Sequence, residues 1–172
     1  MRDEALFLNG VWASVLEDIL EIQRHLPEQI LYLQPYKSDR IVHLAENPPS
    51  VDDPVRLFAS VTDDRANVHY TGEIVGWDDK RTLKGPKLTL LNRIIYAFQW
   101  TEDGVYEYAY EDSPRSCVNL LYVRRMQKLS MPFSVDQLTN SNTGKPLSTN
   151  RTTSGGWVYV VNPSKAWLKE FM

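Results

Sequence analysis

Two runs of strand-forming residues, Val55–Thr62 and Val68–Trp77, are separated only by Asp63-Asp-Arg-Ala-Asn67. So short a connection joins antiparallel neighbours, because parallel ones need a crossover of a dozen residues or more. The pair predicts a local hairpin, and a chain built around one is steered away from a βαβ sheet. In the first run Leu57, Ala59 and Val61 alternate with Arg56, Phe58 and Ser60. Gly72, inside the second, marks a bulge or a close approach of another backbone.

Around this hairpin the pattern alternates between helical and extended periods. Residues 9–26 read as a helix, with Trp12, Val15, Leu16, Ile19, Leu20 and Gln23 at three- and four-residue steps and Pro27 ending it. Ile30–Gln34 reads as a strand, 35–39 as a turn, and Arg40–Leu44 as a second strand. Glu46–Pro54 holds three prolines and cannot be regular. Leu88, Leu91, Ile94, Ile95 and Phe98 give a helical stripe entered through Gly85-Pro86. Val105–Tyr110 and Cys117–Met126 read as strands, and Pro132–Leu138 as a short helix begun by proline. A polar tract, 140–156, leads to the strand Trp157–Val161. Pro163–Met172 makes a closing helix capped by Ser164 or Asn162. The expected architecture is α+β: one domain over 1–172, with a small mixed or antiparallel β-barrel (30–161) and peripheral helices at 9–26 and 163–172.

The 172 residues suffice for one core. A lone cysteine, Cys117, forms no internal disulfide, so a reducing compartment is expected. No apolar run reaches the ~20 residues of a membrane span, and the acidic start does not suit a signal peptide; a cytoplasmic location away from membranes follows. Charge is unevenly placed: residues 1–114 carry 11 Lys/Arg against 20 Asp/Glu, and residues 115–172 carry 8 against 2. A cationic third on an acidic body suits one localised anionic ligand, or the two parts neutralise each other in the fold.

The familiar catalytic and cofactor signatures are missing. His25, His43 and His69 have no ligand spacing, and there is no Walker loop, GxGxxG or GxSxG. No metal, cofactor or catalytic residue is therefore assigned. Asp52, Asp53, Glu73 and Lys80 could form a nuclease-like set, but two of them lie in the proline-rich loop. Aromatic residues are better placed. Tyr32, Tyr36, Phe58, Tyr70, Trp77, Tyr122, Trp157 and Tyr159 fall on or beside expected strands. Most belong to a core, yet rings at strand ends, Tyr36 and Trp77 above all, can stack on a planar base. Arg124 and Arg125 are adjacent on a strand, so one points inward or along the edge unless a bulge intervenes.

Two stretches resemble EVE-type domains of the PUA-like superfamily. One is Val68-His-Tyr-Thr-Gly-Glu-Ile-Val-Gly76 following Arg56-Leu-Phe-Ala-Ser-Val-Thr62. The other runs from Val118-Asn-Leu-Leu-Tyr-Val-Arg-Arg through Leu129-Ser-Met-Pro-Phe to Asp136-Gln-Leu138. The likeness covers roughly 30–138; the 84–99 helix is long for the family, the N-terminal helix is extra, and Asp52-Asp-Pro54 stands where the family has Gly-Asp. The resemblance implies a pseudobarrel whose pocket takes a nucleobase of DNA or RNA, often modified and extruded from the duplex. It implies a pocket of Tyr36, Lys37, Ser60, Thr62, Tyr70 and Trp77, with flanking phosphates at Arg124, Arg125, Lys145 and Arg151.

The leading expectation is a non-catalytic domain that recognises a base. A protein-interaction module, perhaps of a defence or toxin-control system, and a small nucleic-acid hydrolase are the alternatives. The 140–156 tract, with Lys145 and Arg151, would clamp backbone beside a pocket made elsewhere; read alone it is a loop.

Overall fold

The computed structural model describes residues 2–33, 39–86, 118–151 and 156–172. The expected turn at 35–39, helix at 88–98 and strand at 105–110 lie wholly or mostly outside them. Six strands form one mixed sheet: β1 (Glu4–Val11), β2 (Leu31–Leu33), β3 (Val55–Val61), β4 (Asn67–Asp79), β5 (Asn119–Ser134) and β6 (Gly156–Val161). Their order is β2-β5-β4-β3-β1-β6. The expected hairpin is β3–β4, antiparallel with Leu57 opposite Gly72. Among the described residues β2 and β6 end the sheet, and no pairing between them closes a barrel. The architecture is thus mixed α+β, and none of the described helices is long and apolar enough to cross a membrane.

One interior strand of the sheet, β1, was not announced by the sequence pattern. β1 runs parallel to β3 and antiparallel to β6. Ala5, Leu6, Phe7 and Leu8 are all buried, so the run lacks the alternation that marks a half-exposed strand. The helix expected from residue 9 accordingly begins later, as α1 (Ala13–His25), after β1 has ended. Leu6 and Leu8 join Leu57, Ala59 and Ile74 beneath Leu16, Ile19 and Ile22 of α1. On the opposite face Ala5, Phe7 and Phe58 pack with Leu129, Phe133, Val160, Leu168 and Phe171.

Two further expectations are corrected. Arg40–Leu44 is not a strand: residues Val42–Glu46 form a short helix, α2. Ile41 and Leu44 are buried three residues apart while Val42 is exposed, a helical rather than an alternating period. Pro132 does not start a helix either, because β5 runs on to Ser134 and a 3-10 turn follows at Val135–Gln137. Pro132 lies where the β4–β5 register breaks, between Val68↔Phe133 and Tyr70↔Lys128. A proline is tolerated there because no ladder donor is required. The closing helix, α3 (Lys165–Leu168), is shorter than expected; the Ser164 hydroxyl accepts from the Trp167 N–H as its cap.

The feature that positions the site is a bulge in β5. Thr71 pairs with Gln127 and Glu73 with Arg124, so β5 spends one residue more than β4 opposite Gly72. Arg125 absorbs the excess at φ 50°. A Cβ on Gly72 would stand 2.2 Å from the Met126 Sδ, so only glycine leaves room for the inward-turned methionine. The Met126 N–H donates instead to the buried Gln23 Oε1 of α1, at 3.0 Å. Gln23→Leu should therefore cost about 1 kcal/mol or somewhat more in urea unfolding, since it strands that N–H. Loss of the unpartnered Gln23 Nε2 offsets part of the penalty.

Candidate functional site

Residues of β4 and β5 line two depressions. The first is an aromatic pocket of about 310 Å³ lined by Tyr32, Pro48, Pro49, Val75, Gly76, Trp77, Asp78 and Tyr122. Tyr32 of β2 pairs directly across from Tyr122 of β5, and the rings meet edge to face with centroids 4.7 Å apart. Gly76 allows this, because a Cβ there would lie 2.6 Å from the Tyr122 ring. The Tyr122 hydroxyl donates to the Asp78 carboxylate. Burial, then Asp78, raises the Tyr122 phenol, and the same causes push Tyr32 up to about 12, so both stay protonated at neutral pH. Trp77 donates its Nε1–H to Asn119 Oδ1 at 2.9 Å, and the Arg40 guanidinium stands 5.3 Å from the Trp77 ring centroid.

The second depression is a cleft of about 240 Å³ whose lining includes Arg56, Thr71, Gly72, Glu73, Arg125, Gln127, Lys165 and Lys169. Four of these side chains are cations and only Glu73 is an anion. Arg124 lies on β5 between Tyr122 of the pocket and Arg125 of the cleft. Its Nε donates to Glu73 at 2.9 Å, and its other end donates to the Val51 carbonyl at 2.9 Å. The proline-rich segment runs alongside both depressions: Pro48 and Pro49 line the pocket and Pro54 lines the cleft. Burial lowers the Arg56 guanidinium and Glu73 opposes the shift; the group remains a cation.

The structure scatters the expected base-pocket residues. Trp77 lines the aromatic pocket, whereas Tyr36 and Lys37 fall outside the described residues. Ser60 is fully buried: its Oγ accepts from the Gly10 N–H at 2.9 Å and reaches Asn9 Oδ1 at 3.3 Å, strapping β3 to β1. Thr62 donates to the Gly10 carbonyl at 3.1 Å. Tyr70 is buried and donates to Glu17 of α1 at 2.5 Å, with Lys128 reaching the same carboxylate at 2.7 Å.

Of the expected phosphate contacts, Arg125 lines the cleft and Arg124 donates to Glu73 of its lining. Lys145 lies exposed in a tight hairpin, where the Asn140 side chain accepts from Asn142 and Thr143 N–H groups. Arg151 stands over the Phe7 ring, its Nε buried without a hydrogen bond. Neither joins the cleft. The nuclease-like set is likewise dispersed, with Asp53 paired to Arg2 at 2.9 Å and Glu73 to Arg124. Among the described residues no three His, Cys, Asp or Glu side chains converge.

Sequence reasoning placed Tyr32 and Tyr122 among aromatics assigned mostly to the core, and passed over Asp78, Lys165 and Lys169 as ligand groups. The β2–β5 pairing that unites the tyrosines leaves no local signal. The four-residue spacing of Lys165 and Lys169 on a helix did offer one. The chain matches no protein-family model, and neither a curated protein nor a solved structure matches it.

Two measurements check this geometry. Gly76→Ala should cost about 1–3 kcal/mol by overpacking and weaken the near-ultraviolet signal of the tyrosine pair. Lys128, then Tyr70, holds the Glu17 carboxyl below its ordinary range, with burial opposing. A depressed acid contributes stability above its unfolded pKa and loses it as pH falls through the folded value. Glu17→Gln should therefore flatten the acid limb of thermal stability below about pH 4.5, the ordinary value for this group, while lowering stability at pH 7.

Proposed function

We propose that this chain is a nucleic-acid-binding module that holds one base, plain or modified, in the aromatic pocket, without catalysing a reaction on it. The observation that carries the reading is the pocket's make-up. Tyrosine and tryptophan rings, two prolines and one carboxylate surround about 310 Å³, and β4 and β5 also line a cleft rich in cations. Rings supply faces for stacking, and Asp78 can accept from a base's exocyclic amino group. Arg125 and the lysines of the cleft would meet phosphate of the same strand, which contributes affinity without reading sequence.

This reading moves the base site along β4. Of the residues implied by the family resemblance it keeps Trp77, and it substitutes Tyr32, Tyr122 and Asp78 for the strapped Ser60, Thr62 and Tyr70. Under it the sheet is the wall of a PUA-like pseudobarrel, with the pocket at the end where β2 meets β5. A base must be unstacked before it can enter, so single strands and mismatched or damaged pairs are the favoured partners.

Fluorescence anisotropy with labelled single strands, carrying plain or modified bases, tests the proposal. Tyr122→Phe keeps the ring and should hold affinity within about threefold, whereas Tyr122→Ala should lose about tenfold, the lower range of one stacked base. Affinity should fall with salt along a slope set by a few phosphate contacts. Circular dichroism establishes that both variants are folded. Absence of oligonucleotide binding at low salt, or equal affinity of the Phe and Ala variants, would overturn the reading.

A further inference from the structure

We infer that the cleft between Arg125 and α3 is a site for a phosphomonoester dianion, the group found on a 5′-phosphorylated nucleic-acid end. The observation beneath this inference is the backbone of Arg125. A non-glycine residue at φ 50° costs of the order of 1 kcal/mol or more, and the sequence places an arginine there rather than a glycine. The bulge turns this side chain toward the same side as that of Arg124, which regular alternation forbids. Its reward in internal contacts is small. The Arg125 guanidinium stands 3.6 Å from Glu73 and 3.5 Å from Glu28, outside good hydrogen-bond range, and is half exposed. Its fork of donors thus remains open to an oxyanion.

The rest of the cleft fits the same group. Lys165 and Lys169 stand one turn apart on its far wall, and among the described residues neither makes an ion pair. Arg56 completes the cationic set, and Gln127 and Thr71 add neutral polar groups. A volume of about 240 Å³ falls below the ~300–1,000 Å³ that takes a whole small ligand, so the cleft suits a group at the end of a larger molecule. The four cationic side chains outnumber Glu73 and the Glu28 carboxylate near Arg125, and a surplus of two matches a dianion better than the single charge of a phosphodiester.

The 5′-end assignment rests on the nucleic-acid reading; the anion site does not, since no residue of the aromatic pocket takes part. The test titrates the full chain with inorganic phosphate at constant ionic strength, following amide shifts of Gly72, Arg125 and Gln127 and the melting temperature. Phosphate should shift those amides and raise the melting temperature. Arg125→Gly, whose backbone suits φ 50°, should stay folded yet weaken phosphate binding at least tenfold, and Lys165→Ala with Lys169→Ala should do the same. Phosphate binding unchanged in both variants, or no effect on the cleft amides, overturns the site.

Single strands with and without a 5′-phosphate then identify the source. Tighter binding of the phosphorylated strand, by about tenfold and lost in Arg125→Gly, assigns the end of a nucleic acid. Equal binding of the two strands, with inorganic phosphate still held, overturns the 5′-end assignment and leaves a phosphorylated small molecule as the ligand. Base discrimination that persists without any phosphate effect overturns this inference and leaves the base-pocket reading intact. Phosphate binding without oligonucleotide binding does the reverse.

Discussion

One surplus residue in β5, set opposite a residue without a side chain, organises the functional face. Gly72 gives Met126 its space, Met126 turns inward, and Arg125 takes up the left-handed backbone that the count requires. Burying a methionine is worth about 1.5–3 kcal/mol, enough to outweigh the cost of the arginine's backbone. The amide displaced from the ladder is recovered by Gln23, a polar side chain within the apolar stripe of α1. Helix, bulge and cleft are therefore one mechanical unit. A change to any of them is felt by the two arginines that share Glu73.

The uneven charge along the chain resolves into two roles. Part of it is internal: Glu17 of the acidic portion receives Lys128 of the basic third, and Glu73 receives Arg124. Lys165 and Lys169 find no such partner among the described residues and face the cleft. Arg151 is set apart by burial against Phe7, where its charge is poorly solvated and poorly placed for a ligand outside. Neutralisation takes up part of the cations and leaves Lys165 and Lys169 exposed at the cleft.

What could be read from the sequence was local. The β3–β4 hairpin needs only its own alternation and turn, α1 only its stripe, and the cap of α3 only Ser164. Each is fixed by neighbours within a few residues. β1 failed that test because covering both of its faces erases the period, and Ile41–Glu46 failed it because one helical turn is too short to show one. Of the candidate site, the residue types were legible and their arrangement was not. Aromatics and arginines on strands pointed to stacking and anion contacts, and the question of a bulge at Arg124-Arg125 was visible in their adjacency. Which rings meet depends on the β2–β5 register, and which hydroxyls are consumed depends on β1, whose Asn9 and Gly10 occupy Ser60 and Thr62.

The strand order carries a consequence for how the molecule is made. Of the six described strands β1 is synthesised before the others but lies between β3 and β6, and its outer neighbour is β6, Gly156–Val161. Asn162 then fastens itself to the backbone of Arg2 and Asp3. During synthesis, at about 5–20 residues per second, one edge of β1, covered on both faces in the fold, stays unpaired for roughly 7–30 seconds. That interval favours association with a chaperone or a neighbouring nascent chain.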